Sequence, residues 1–189
     1  MKVYANCYNK SILFKEEMMT FTELAKARYS VRKFTDKPIE PEKLNAVLEA
    51  ARLAPTAKNL QAYHIYVVQS KEGMEKMRAL TPCHYGAPVV LIFTKNTQEE
   101  WHHPQLPEVV SGVQDAAIVA THAMLAATEL GLGTCWLNFF SPQAVARAYN
   151  LPDHEIPVLL LPIGYAAEDC VPADRHTERK ELDTLVSYL

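Results

Sequence analysis

Between Glu108 and Leu130 the chain is rich in alanine and almost free of charge. A helix that is small or apolar on most faces has little surface to give to water, so it must be buried on most sides. The rest of the chain therefore has to enclose one long helix. Ala116, Ala117, Ala120, Ala123 and Ala127 lack bulk, and a second helix is expected to approach that face closely. Gly131 and Gly133 stop the helix. The stretch is expected to form core or a subunit interface.

The enclosing elements are legible from caps and periodicity. Thr20-Phe21-Thr22-Glu23 has capping-box spacing and predicts a first helix ending near Ala27. Pro41 suits the first position of a second helix. In it Leu44, Val47, Leu48 and Ala51 repeat at core-facing spacing, until Pro55 forces Ala54 out of helical geometry. Tyr63–Gln69 and Pro88–Thr94 read as strands. A short helix over Ser70–Leu80 lies between them and turns Met74 and Met77 inward. Lys95–Pro107 is polar, holds Trp101, His102 and His103, and is expected to be a loop or lid. Thr134–Asn138 predicts a strand, Ser141–Tyr149 a helix, and Ile156–Gly164 the last core strand. Leu182, Leu185, Val186 and Leu189 have the spacing of a final short amphipathic helix. Helices and strands mixed in this order predict an α+β fold, with helices around one central sheet.

Bulk properties narrow the function. The 189 residues suit one domain, and 49% of them are hydrophobic, enough for a sizeable core. A net charge of −3 argues against a nucleic-acid surface. The longest apolar run, Ile156 to Ala167, is interrupted by Pro157 and Pro162 and is too short to cross a bilayer. Near the start, Lys2, Tyr4, Asn6, Tyr8, Asn9 and Lys10 occupy the place of a signal peptide's apolar region, so a cytoplasmic location is expected. Cys7, Cys83, Cys135 and Cys170 form no Cys-x-x-Cys pair and are expected to be reduced thiols. Adjacent His102 and His103 diverge in a strand or a helix, which favours lid polarity or substrate contact over a metal site.

Two segments carry the chemistry. Arg28, Ser30 and Arg32 alternate, and in an extended segment alternate residues face the same way. Two guanidiniums and a hydroxyl on one face suit a single anion, most simply a phosphate. Pro55-Thr56-Ala57-Lys58-Asn59-Leu60-Gln61-Ala62-Tyr63 follows a helix end and offers amides, a hydroxyl and two carboxamides to a flat, polar-edged group. Each segment taken alone has a plainer reading. Arg28 and Arg32 could be solvated charges or partners of Glu23 and Asp36, and Asn59 and Gln61 could cap a turn.

Together the two segments resemble the nitroreductase family of FMN-dependent oxidoreductases. The family's Arg-x-Ser-x-Arg matches Arg28, Ser30 and Arg32. Its Pro-Ser-x-x-Asn-x-Gln-Pro-Trp matches Pro55 to Tyr63, with Thr56 for Ser and Ala62-Tyr63 for Pro-Trp. Gly131-Leu132-Gly133-Thr134-Cys135-Trp136 resembles its Gly-Leu-Gly-x-x-Trp. Leu161-Pro162-Ile163-Gly164-Tyr165, followed by Arg179-Lys180, is a fourth match. The resemblance runs from about Phe21 to the C-terminus and leaves residues 1–19 as an N-terminal arm, tail or remnant, with the FMN-binding domain over 20–189.

The resemblance implies a mostly antiparallel central sheet surrounded by helices, in an obligate homodimer with two flavins at the interface. The small-residue face of the long helix is then expected to be the seam. The family pattern places Arg28 and Ser30 near the FMN phosphate, joined by Arg179, and Tyr29 between them is expected among the cofactor-binding residues. Arg32 lies toward the ribityl chain and the N1–C2 carbonyl edge. Pro55, Thr56, Ala57, Asn59 and Gln61 are expected to reach the flavin, the first four of them from the other subunit. Leu137 and Asn138 match positions whose backbone passes near the flavin N5, and Gly164 would let the chain pass close to the cofactor. No side chain is expected to act as acid or base, since the cofactor carries the redox chemistry. The expected activity is NAD(P)H-dependent reduction of nitroaromatics, quinones or similar small acceptors by a ping-pong cycle. The alternatives are a reductive dehalogenase or other flavin dehydrogenase on this scaffold, or a flavin carrier or sensor with little turnover.

Overall fold

The computed structural model describes residues 19–189. All but one residue of the expected N-terminal extension, and Cys7 with it, lie outside the described residues. Strands β1 (Tyr63–Val68), β2 (Val89–Asn96), β3 (Gly133–Thr134) and β4 (Glu155–Gly164) form one antiparallel sheet in the order β1-β2-β4-β3. The fold is α+β, with helices on both faces of that sheet.

The two central strands explain the layering. Val89, Leu91 and Phe93 of β2 and Leu159, Leu161 and Ile163 of β4 point to one face. There they meet helix α2 (Pro41–Arg52), through Leu44, Val47 and Ala51, and helix α4 (Gly112–Glu129), through Val119, Ala120, Ala123 and Ala127. Val90, Ile92 and Leu160 point the other way, to Met74 and Met77 of α3 (Lys71–Leu80) and Val145 of α5 (Pro142–Tyr149). A strand buried on both faces has to be apolar throughout, as both of these are in their centres. Each side chain enclosed this way contributes about 1.5–3 kcal/mol of hydrophobic stabilisation. Helix α1 (Phe21–Ala27) is held locally, with Thr20 and Glu23 closing the expected capping box, and it buries no residue.

The sequence placed most elements within a residue or two, and four differences have clear causes. Helix α4 begins at Gly112 rather than Glu108, because the residues before it close the preceding loop. The His103 N–H bonds the Val109 carbonyl and the Ser111 N–H bonds that of Trp101. Strand β3 stops at Thr134 instead of running to Asn138. Cys135 donates its N–H to Pro162 O at 3.2 Å, but proline has no N–H to return. Pairing resumes only at Leu137, which exchanges both bonds with Leu160.

The third difference is the small-residue face of α4. Ala116, Ala120, Ala123 and Ala127 are fully buried within the chain. The helix that approaches them is α2 of the same molecule, so this face is core rather than an exposed seam. The fourth is the C-terminal helix. Only a single 3₁₀ turn forms, at Leu182–Thr184, and Leu182, Leu185, Val186 and Leu189 are all exposed. So short a helix is stable only when its apolar stripe has a surface to cover, and nothing among the described residues supplies one. Among the described residues, no helix is long and apolar enough to cross a membrane.

Candidate functional site

Arg28 ends α1 in an extended conformation, φ −62° and ψ 125°, while its N–H still reaches Leu24 O at 3.0 Å. From there the chain runs alongside the end of the sheet. Ser30 forms a parallel bridge with Thr134, and the Val31 N–H donates to Thr134 O at 2.9 Å. Phe34 pairs with Ala166 beyond the end of β4. Val31 and Phe34 turn into the core with Ala87 and anchor the segment. Arg28, Ser30 and Arg32 are thereby left on one pocket wall, as their alternation predicts.

That pocket has a volume of about 230 Å³ and is lined by Arg28, Tyr29, Ser30, Arg32, Ala173, Arg175, His176 and Arg179. Four of the eight lining residues carry guanidiniums and none carries a carboxylate. The C-terminal segment closes it. The Tyr29 hydroxyl donates to Cys170 O at 3.2 Å, and the Tyr29 ring meets His176 edge-on at 6.3 Å. His176 Nε2 lies 3.2 Å from Lys26 O. Arg179 Nη1 donates to the carbonyls of His176 and Glu178 at 2.7 and 2.6 Å, which fixes the guanidinium at the pocket edge. Burial raises the Tyr29 hydroxyl above the usual phenol value, so it stays a protonated donor. Behind the wall, burial likewise raises the Cys135 thiol, against the opposing pull of the Arg32 guanidinium.

The donor set fits a phosphate monoester. Convergent guanidiniums and a hydroxyl supply charge-assisted hydrogen bonds, and among the described residues no lining acid competes for them. Beside Ser30, the buried Thr134 Oγ1 has no hydrogen-bond partner among the described residues, which leaves polar capacity next to this wall. A larger groove of about 420 Å³ runs between α5 and the start of β4. It sets Arg147 among Asp153 and Glu155, a mixed lining with no comparable preference for an anion.

Arg175 and His176 are the site residues that sequence reading did not single out. They sit on a 3₁₀ turn, Asp174–His176, just ahead of Arg179-Lys180. The basic run Arg175-His176 was the available signal.

The second segment lies apart from this pocket: none of Pro55, Thr56, Ala57, Asn59 or Gln61 lines it. They form a tight turn instead. Lys58, Asn59 and Gln61 adopt φ of 50°, 56° and 54°, a left-handed region that non-glycine residues rarely occupy. Thr56 Oγ1 accepts the Gln61 N–H at 3.0 Å, and Gln61 Nε2 reaches Asn59 O at 3.3 Å. Leu137 turns its side chain into the core and Asn138 is exposed; neither lines the arginine pocket. Gly164 is hemmed in by the chain itself, since a Cβ there would fall 2.6 Å from Pro88 Cδ and 3.2 Å from Phe34 Cδ1.

A sequence profile described as the Nitroreductase family matches residues 25–84 and 80–165. The chain belongs to the nitroreductase family. It is 37% identical to a nitroreductase family protein from Clostridium difficile 630, with a TM-score of 0.84 over 90% of this chain and 98% of that one. It is 32% identical to a Bacillus subtilis protein named FMN reductase [NAD(P)H], over 81% of this chain and 66% of its relative. A protein from Exiguobacterium sibiricum, crystallised in complex with FMN, has a TM-score of 0.77 at 21% identity, covering 90% of this chain and 98% of that one. At that identity the likeness is one of fold. Within this nitroreductase scaffold, the arginine pocket lies where the Arg28–Arg32 segment passes the junction of β3 and β4.

Proposed function

We propose that this nitroreductase family member is an FMN-dependent NAD(P)H oxidoreductase acting on nitroaromatics, quinones or similar small acceptors. The observation that carries the reading is the convergence of Arg28, Ser30, Arg32 and Arg179 on one pocket without a lining carboxylate. The FMN-bound relative of the same fold and the relative named FMN reductase support it. When bound, FMN would supply the redox chemistry, hydride and electron transfer between NAD(P)H and the acceptor in alternating half-reactions.

The chain's own residues hold and orient that cofactor. Arg28, Ser30 and Arg179, with Arg175 and His176 beside them, bind the phosphate, and Tyr29 ties the segment to the C-terminal arm. Arg32 sits on the same wall, and its positive charge would face the ring end of the bound cofactor. Pro55, Thr56, Ala57, Asn59 and Gln61 complete the site through their amides and carboxamides, while Leu137, Asn138 and Gly164 bring backbone past it. One chain keeps the Pro55–Gln61 turn away from its own arginine pocket, which supports a homodimer with shared sites. Exposed Val113 and Ile118 on α4, with the uncovered apolar side chains of the C-terminal segment, supply a surface for that assembly.

The test uses purified protein loaded with FMN. NADH or NADPH added anaerobically should bleach the yellow chromophore rapidly, and initial rates with a quinone should give parallel double-reciprocal lines. Arg28→Ala with Arg179→Ala should weaken FMN binding by about 1.5–3 kcal/mol for each charge-assisted contact removed. Full-affinity FMN binding in the double variant would overturn the cofactor assignment. Absence of bleaching would leave a carrier rather than an oxidoreductase.

A further inference from the structure

Asp115 lies in the first turn of α4 and is 3% exposed. Its Oδ1 accepts the Ala57 N–H at 2.9 Å, and its Oδ2 accepts the Ser111 hydroxyl at 2.7 Å. Ser111 Oγ in turn accepts the Trp101 N–H at 3.2 Å. One enclosed carboxylate therefore joins three parts of the fold: the Pro55–Gln61 turn, the start of α4 and the loop that precedes it. A buried charge is costly unless hydrogen bonds satisfy it, so a carboxylate kept here needs a reason beyond filling space.

The turn supplies the reason. Three of its non-glycine residues hold positive φ, and such conformations persist only where the surroundings enforce them. Its internal bonds, Asn59 N–H to Thr56 O at 2.9 Å and Leu60 N–H to Ala57 O at 3.0 Å, fix its shape but not its place. Among the described residues, the bond from Ala57 to Asp115 is the one hydrogen bond from Thr56–Gln61 to a residue outside the turn and its neighbours. We infer that Asp115 is a positioning residue, which sets the strained Thr56–Asn59 turn where its amides and the Asn59 carboxamide meet the flavin. This inference rests on the flavin reading of that turn. Ser111 orients the carboxylate, and the same carboxylate registers the Trp101 loop against the turn.

The experiment compares Asp115→Ala, Asp115→Asn, Ser111→Ala and Asn59→Ala in the full-length, FMN-loaded protein. Three quantities are read: FMN Kd, visible circular dichroism of the bound flavin, and hydrogen exchange of the Ala57 amide. Asp115→Ala should raise Kd about tenfold, alter the flavin dichroism and speed exchange at Ala57. Asp115→Asn keeps an acceptor oxygen and should restore all three to near wild type. Ser111→Ala should move them in the same direction by a smaller amount, and it decides the matter if Asp115→Ala does not fold. Lower thermal stability with unchanged Kd, dichroism and Ala57 exchange would overturn the inference. If Asn59→Ala leaves Kd and dichroism untouched while Asp115→Ala still frees the Ala57 amide, the flavin reading of the turn has failed and the anchoring has not. If Asn59→Ala weakens FMN binding and Asp115→Ala changes nothing, the positioning role is lost alone.

Discussion

Val31 fills the space that a side chain at position 133 would need. A Cβ built on Gly133 would fall 2.5 Å from Val31 Cγ2 and 3.0 Å from Val31 Cβ. This contact presses the arginine segment against β3, so the glycine is required by the close approach of two backbones. Gly133→Ala should cost about 1–3 kcal/mol by overpacking, and weaken FMN binding because Ser30 and Arg32 flank Val31. Adding Val31→Ala should recover part of both losses. Denaturant unfolding with a parallel FMN titration checks this, and wild-type stability in Gly133→Ala would show that the contact yields freely.

Arg32 can serve binding, redox poise or both, and one variant separates the two. It shares the pocket wall with Arg28 and Arg179, and its Nη1 makes a long contact of 3.4 Å to Ser30 O. A fixed guanidinium toward the ring end favours the more negatively charged reduced cofactor. If that preference is about 1.4–3 kcal/mol, Arg32→Leu should lower the two-electron potential by roughly 30–60 mV. The midpoint potential of FMN-saturated wild type and variant is the measurement. Weaker FMN binding at an unchanged potential would leave Arg32 as a phosphate clamp only.

The outward face of α4 is where assembly should fail. Val113 is 52% and Ile118 39% exposed on this helix, while Ala116, Ala120, Ala123 and Ala127 are buried. Changing both to Glu should produce a monomer and release flavin in the same step, because the proposed site needs both chains. Light scattering and flavin absorbance report the two outcomes. A monomeric variant that retains stoichiometric FMN would contradict the shared site.

Acid should loosen the attachment of α2. The Tyr165 hydroxyl donates to Glu40 Oε2, and Lys37 and Lys43 stand close by. The Tyr165 hydrogen bond first, then backbone contact and the two lysines, hold the Glu40 carboxyl down to about 2 against its ordinary 4.5. A carboxylate with a depressed folded-state pKa adds stability above its unfolded value. That contribution is lost as pH falls from about 4.5 towards 2. Glu40→Gln should therefore flatten the decline of Tm across that window and leave the slope at neutral pH unchanged. The Glu40 side chain is 44% exposed, so the difference should shrink in high salt. Identical acid profiles for the two proteins would exclude Glu40 as a contributor.

Features that rest on local chemistry were legible in the sequence. The Thr20 capping box, Pro41 at a helix start and the helix stop before Pro55 are settled within a few residues of backbone. The alternating Arg28, Ser30 and Arg32 were legible for the same reason, since an extended backbone directs alternate side chains to one face whatever lies beyond it. Tertiary structure decided everything that depends on a distant partner. Arg175 and His176 reach the pocket only because the chain folds back after β4. The alanine face of α4 is core and not seam because α2 arrives there first. Strand β3 ends early because Pro162 opposite Cys135 has no N–H to give. Asp115 reads as a lone acid near the start of a bland helix until the fold brings it to Ala57, 58 residues away in sequence. A carboxylate's role depends on which amide it meets, and only packing decides that meeting.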